Sequence, residues 1–173
     1  MPFALLAALA SGLLLFLANG RAEIWPLAWI AMSPVLCFAY RSPSGWRTFL
    51  AGIVASALGA LDLVLMFAGQ LPLVLLLSFA VEIGILGGLV LLASRALARR
   101  LPPTAALFAY PCVAVAAEML VIAFSPDGTA VSAAYSQTRF LQLIQLTSLT
   151  GLAGVSFVIA LPSSAIALFA LPD

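Results

Sequence analysis

The sequence contains no histidine and no lysine. Those two gaps exclude a Ser-His-Asp or Cys-His catalytic set, a lysine nucleophile, a P-loop and any histidine-ligated metal site built within this chain. Cysteine is scarce. Cys37 and Cys112 are the only two, and each lies in an apolar run, where it reads as a small hydrophobic residue and not as half of a disulfide framework or a zinc site. Charge is scarce too. Charged residues make up 8% of the 173 positions, against roughly a quarter in soluble domains, while apolar residues make up 65%. A mean hydropathy of +1.23 excludes a soluble globular domain, and it excludes intrinsic disorder, which needs low hydrophobicity and high net charge. The net charge of +1 gives no sign of nucleic acid as a partner. What remains is an all-α polytopic membrane helix bundle, with no cofactor and no metal called for.

A helix needs about 20 apolar residues to cross the hydrocarbon core. Six stretches approach that length within a single transmembrane domain over 1–173: about 3–18, 25–40, 48–68, 73–97, 104–124 and 151–170. Asn19, Gly20, Arg21 and Glu23 separate the first two, and Pro26 falls in the first turn of the second, where a missing N–H costs little. Arg41 to Arg47 form a polar loop, Gly69-Gln70-Leu71-Pro72 a tight turn, and Ser125-Pro126-Asp127-Gly128 has turn chemistry. Pro162 predicts a kink in the sixth stretch. The first stretch has its charge after it and none before it, the wrong order for a cleaved signal peptide, so it is expected to stay as a span. Arg41, Arg47, Arg95, Arg99 and Arg100 fall on one side of this layout, Arg21 and Arg139 on the other. The positive-inside rule then places the N-terminus and Asp173 in the cytoplasm. Neither an internal repeat nor a broken mid-membrane helix is evident, so the marks of many transporters are missing.

Three carboxylates, Asp62, Glu82 and Glu118, fall within spans, where charge is costly and such groups usually face the bundle or a wet cavity. The span limits put all three roughly 10–14 Å below the outer surface at 1.5 Å per residue. Two readings follow: one polar cavity opening outward, or three separate carboxyl groups, each bonding a nearby serine or backbone carbonyl. No arginine within a span pairs with them at that depth. Small residues recur at helical spacing: Gly52, Ser56, Gly59 and Ala60 in the third stretch, Gly84, Gly87 and Gly88 in the fourth. They predict close helix approach. Trp25, Trp29 and Trp46 read as interface anchors. Between Ser125 and Thr150 the chain is too polar to span, and Phe140, Leu141, Leu143, Ile144 and Leu146 predict a short amphipathic helix at the outer surface.

Several of these residues occur in a familiar order. Trp25-Pro26-Leu27-Ala28-Trp29 and Ser33-Pro34 open the second stretch, and Glu118 follows Pro111 in the fifth. Then come Tyr135-Ser136-Gln137, Leu141-Gln142-Leu143, and Leu149-Thr150-Gly151 with Gly154-Val155-Ser156-Phe157. The chain thereby resembles the N-terminal membrane part of bacterial apolipoprotein N-acyltransferase, over nearly its whole length. Tyr135, Ser136, Gln137, Gly151 and Gly154 belong to the most specific stretch of that likeness.

The resemblance implies an inner-membrane location and a role in moving an acyl chain from a phospholipid to the N-terminal amine of a lipoprotein. In the family that chemistry belongs to a nitrilase-like domain with a Glu-Lys-Cys triad, and the membrane part anchors it and shapes lipid access. This sequence reaches Asp173 without such a domain, and it has no lysine from which to assemble the triad. The expectation is therefore no catalytic residue and no activity from this chain alone, as a truncated form or as half of a split enzyme. Phospholipid is the expected partner, with a separate catalytic chain and a lipoprotein substrate. Met119, Leu120 and Val121 follow Glu118 where the family often has an arginine, which leaves that carboxylate without its usual partner. The rival expectation is a small proton- or cation-coupled transporter or channel using Asp62, Glu82 and Glu118.

Overall fold

In hydrocarbon a backbone must satisfy its own N–H and C=O groups, so apolar runs fold as helices. The computed structural model describes residues 2–125, 128–130 and 132–170. Pro126 and Asp127 of the expected turn, and Asp173, lie outside the described residues. The helices are α1 (Pro2–Ala18), α2 (Ser33–Arg41), α3 (Gly45–Met66), α4 (Leu73–Ala98), α5 (Pro103–Ala106), α6 (Ala109–Phe124), α7 (Leu141–Ile144) and α8 (Thr147–Phe169). Two 3₁₀ turns, Trp25–Trp29 and Ala133–Gln137, complete the order. Among the described residues there is no strand, only an isolated bridge between Ala68 and Leu71. Four segments are long and apolar enough to cross a membrane: Gly45–Met66, Leu73–Ala98, Pro103–Phe124 and Thr147–Phe169, with Phe3–Ala18 a shorter apolar helix. The chain is a polytopic helical bundle.

The second stretch differs most from the expected single span over 25–40. It breaks into the Trp25–Trp29 turn and the nine-residue α2, a helix of about 13 Å at 1.5 Å per residue, too short to cross. The cause is local. Pro34 supplies no N–H, and the Ser33 hydroxyl bonds back to the Ile30 carbonyl at 2.7 Å, closing a turn where a helix would continue. The N-terminus of α2 is thus buried inside the bundle. One of its orphan donors, the Val35 N–H, is taken by the Ser11 hydroxyl of α1 at 3.0 Å. This broken helix overturns the expectation that no such interruption exists. Around α2 sits the largest core cluster, drawn from α1, α3, α4, α6 and α8, with Val35, Leu36 and Leu91 fully buried.

The small-residue faces of α3 and α4 meet. A Cβ added to Gly52 would come within 2.8 Å of the Gly88 Cα, and one on Gly87 would collide with the Ser56 hydroxyl. Gly59 instead packs on Leu15 of α1. In α8 the backbone departs from helix at Gly151 (φ 66°, ψ −168°) and stays helical through Pro162, so the break lies eleven residues before the proline. The segment expected as one amphipathic helix folds as the Ala133–Gln137 turn and the single α-turn α7, and residues 147–150 join α8.

Arginines tie one end of the bundle together. Arg95 on α4 donates from Nε and Nη2 to the Ser42 carbonyl at 3.2 and 2.9 Å, and from Nη2 to the Pro43 carbonyl at 3.0 Å. Arg99 reaches the Ser42 carbonyl at 2.6 Å, and Arg41 donates to the Ala170 carbonyl. The loop after α2 and the ends of α4 and α8 therefore share this end.

Candidate functional site

The opposite end is organised by one amide. Gln137, in the second 3₁₀ turn, is fully buried. Its Oε1 accepts from the Trp29 indole Nε1 at 2.9 Å, and its Nε2 donates to the Trp25 carbonyl at 3.2 Å and to the Ser136 hydroxyl at 3.0 Å. A buried amide must bond at both ends, and here those bonds clamp residues 25–29 to residues 133–137, more than a hundred positions apart. The Trp25 ring stacks on Phe140, centroids 4.8 Å apart, and Trp29 lies 6.5 Å from the same ring. From α8, the Ser163 hydroxyl donates to the Trp29 carbonyl at 3.0 Å. Below the hub Ala134, Val155 and Ile159 form an apolar cluster with Ala28, Leu143, Leu146 and Leu152 packed against it.

Glu118 braces the second turn from below. One of its oxygens, Oε1, accepts from the Ser132 hydroxyl at 2.5 Å and from the Ser156 hydroxyl at 2.9 Å. Ser132 also caps the turn by accepting the Ala134 N–H at 3.3 Å. Two serines therefore stand where an arginine partner is missing from the sequence. At the surface Thr129 Oγ1 and the Tyr135 hydroxyl are 2.8 Å apart, and Arg139 pairs with Glu23. Gly151 bends the chain sharply within α8, four residues after its start. Its conformation is open essentially to glycine alone, and no atom lies near enough to oppose a side chain there, so the demand is one of backbone and not of space.

Asp62 is buried at this same end, but it has its own partners. Its Oδ1 accepts the Arg21 backbone N–H at 3.4 Å and lies 3.8 Å from the Arg21 Nε. The carboxylate rests directly on the Cα of Gly20 (φ +56°), where a methyl group would overlap it. Glu82 is exposed on α4. By position along their helices, Asp62 and Glu118 lie about 6 and 9 Å from the ends of α3 and α6, and Glu82 about 14 Å from the start of α4. Among the described residues no hydrogen bond or ion pair joins any two of the three, and no group of Cys, Asp and Glu is placed to hold a metal ion.

Residues that the sequence marked only by their order are thus brought together: Trp25 and Trp29 with Ser136 and Gln137, and Leu143 on the apolar cluster with Ala28. A family model described as the apolipoprotein N-acyltransferase N-terminal domain matches residues 11–165. The chain belongs to this family. A search of curated proteins found no match.

As an apolipoprotein N-acyltransferase N-terminal domain, the chain carries both of its cysteines on helices outside the two turns of the hub. Cys37 is half-buried on α2 and Cys112 exposed on α6, and both thiols are free. The hub has an apolar rim: Tyr135, Leu141 and Leu149 remain 46, 66 and 85% exposed. Trp25 and Trp29, expected as interface anchors, are half-buried and held by Gln137 and Phe140. Sequence reasoning missed both ion pairs and the two-serine brace, since each joins residues far apart in the chain.

Proposed function

We propose that this chain is the membrane-embedded part of an apolipoprotein N-acyltransferase-type system. It anchors a nitrilase-like catalytic part and guides phospholipid acyl chains toward it, and it performs no acyl transfer by itself. The observation that carries this reading is the Gln137 hub, which fixes two non-spanning turns at one end of the bundle and leaves an apolar rim exposed. A rim of that kind suits docking of a second domain or entry of a lipid tail. In this reading the chain sits in the bacterial inner membrane with its N-terminus cytoplasmic, the hub faces outward, and the lipoprotein substrate is met by the catalytic part.

The test pairs the purified chain with a separately produced nitrilase-like acyltransferase domain in lipid nanodiscs. Acyl transfer to a lipopeptide amine is expected only from the pair, and Leu141→Arg with Leu149→Arg should weaken both association and transfer. Acylation by the chain alone would sink the proposal, as would a pair indifferent to those two substitutions. The transporter reading gains the broken helix at 30–33 but has to join Asp62 and Glu118, whose partners are separate, with Glu82, which is exposed. Proton-coupled flux in liposomes that Asp62→Asn with Glu82→Gln abolishes would favour it.

A further inference from the structure

Among the described residues, positive charge at the arginine end has no acidic counterpart. Arg41, Arg47, Arg95, Arg99 and Arg100 gather there, and the two ion pairs among the described residues, Arg21 with Asp62 and Arg139 with Glu23, both lie at the hub end. Arg47 and Arg100 are exposed and make no side-chain hydrogen bond among the described residues. Arg95 is different in kind. It is only 8% exposed. Its Nε and Nη2 are committed to the Ser42 and Pro43 carbonyls, and its Nη1 makes no hydrogen bond among the described residues. That free nitrogen sits beside Gly45: a Cβ there would lie 3.8 Å from Nη1 and 3.3 Å from the Leu92 Cδ1. Gly45 and Leu92, with Trp46, Phe49 and Leu89, line an apolar groove of about 390 Å³ between α3 and α4. An accessible, unused donor on an otherwise buried guanidinium therefore opens onto the rim of a hydrocarbon-lined groove.

We propose that this end binds one acidic phospholipid of the adjoining leaflet, with its phosphate on the arginines around Arg95 and one acyl chain in the α3–α4 groove. A guanidinium matches phosphate oxygens in geometry as well as in charge. The groove walls ask for hydrocarbon, which a free phosphate lacks. Among the described residues this end has arginines and no carboxylate to attract the ammonium of a zwitterionic headgroup, so a headgroup of net negative charge fits better. The site is at the far end from the Gln137 hub and does not depend on what the hub does.

The whole chain is reconstituted in detergent with equal amounts of phosphatidylglycerol and phosphatidylethanolamine, and retained lipid is counted by native mass spectrometry. The unaltered chain is expected to keep one phosphatidylglycerol in preference. At about 1 kcal/mol per surface arginine, Arg47→Gln with Arg99→Gln should reduce that preference about thirtyfold, and Arg139→Gln at the other end should leave it unchanged. A phosphatidylglycerol with brominated acyl chains should quench tryptophan emission in the unaltered chain and much less in Trp46→Phe, a reading that does not depend on the arginine variants folding well. Equal retention of the two lipids, an unchanged ratio in the double variant, quenching indifferent to Trp46, or displacement of the lipid by millimolar inorganic phosphate would each overturn the proposal.

Discussion

Replacing Gln137 with leucine tests the hub directly. Leucine differs in volume by only about one methylene, a small packing change, so the change is chiefly one of hydrogen bonding. Three bonds disappear, to the Trp29 indole N–H, the Trp25 carbonyl and the Ser136 hydroxyl. Ser136 keeps its bond to the Ala133 carbonyl at 2.7 Å and loses little. The indole N–H and the Trp25 carbonyl are left in a half-buried place without a partner, and each such group costs about 1–3 kcal/mol. Some water reaches both, which favours the lower part of that range, so a loss of about 2–4 kcal/mol is expected. Reversible unfolding in mixed SDS micelles reads the total. Amide exchange reads the location: protection should fall in residues 25–29 and 133–137 together, because one side chain holds both. Trp29→Phe removes the indole donor, so adding it to Gln137→Leu should cost less than the two separate losses combined, by about 1 kcal/mol. A Gln137→Leu chain within 0.5 kcal/mol of the unaltered one (about the spread of a neutral surface substitution), or strict additivity with Trp29→Phe, would refute the clamp.

Gly20→Ala forces a methyl group into the Asp62 carboxylate at a positive φ, so it should destabilise by at least about 2 kcal/mol, measured by the same unfolding, with Asp62→Ala in the same chain recovering only the steric share. Arg139→Gln breaks the pair with Glu23, but the two side chains are 68 and 44% exposed, so stability should change by less than about 0.5 kcal/mol, and less again in high salt.

Much of the bundle was legible because hydrophobic length and loop chemistry act locally. Gly69 to Pro72 turns the chain where expected, α4 begins at Leu73, and the small faces of α3 and α4 meet at Gly52 and Gly88. The second stretch misled because its composition is that of a span, while its break depends on Ser33 bonding Ile30 and on Ser11 arriving from α1. Composition does not register a partner that comes from another helix. At the site, the order of residues was readable and their geometry was not. Trp29 looked like any interfacial tryptophan, since its bond to Gln137 spans 108 positions. Glu118 lacked an arginine in sequence, and only the folded chain brings Ser132 and Ser156 to it.

The broken helix bears on how the protein is made. An insertion machinery that judges segments one after another meets in α2 nine residues that do not reach across a bilayer. Its exposed N-terminal donors are acceptable in hydrocarbon only once Ser11 is already alongside. On that reasoning α1 and α2 partition together as a hairpin, and α3 is the first of the described helices long enough to hold itself in the membrane.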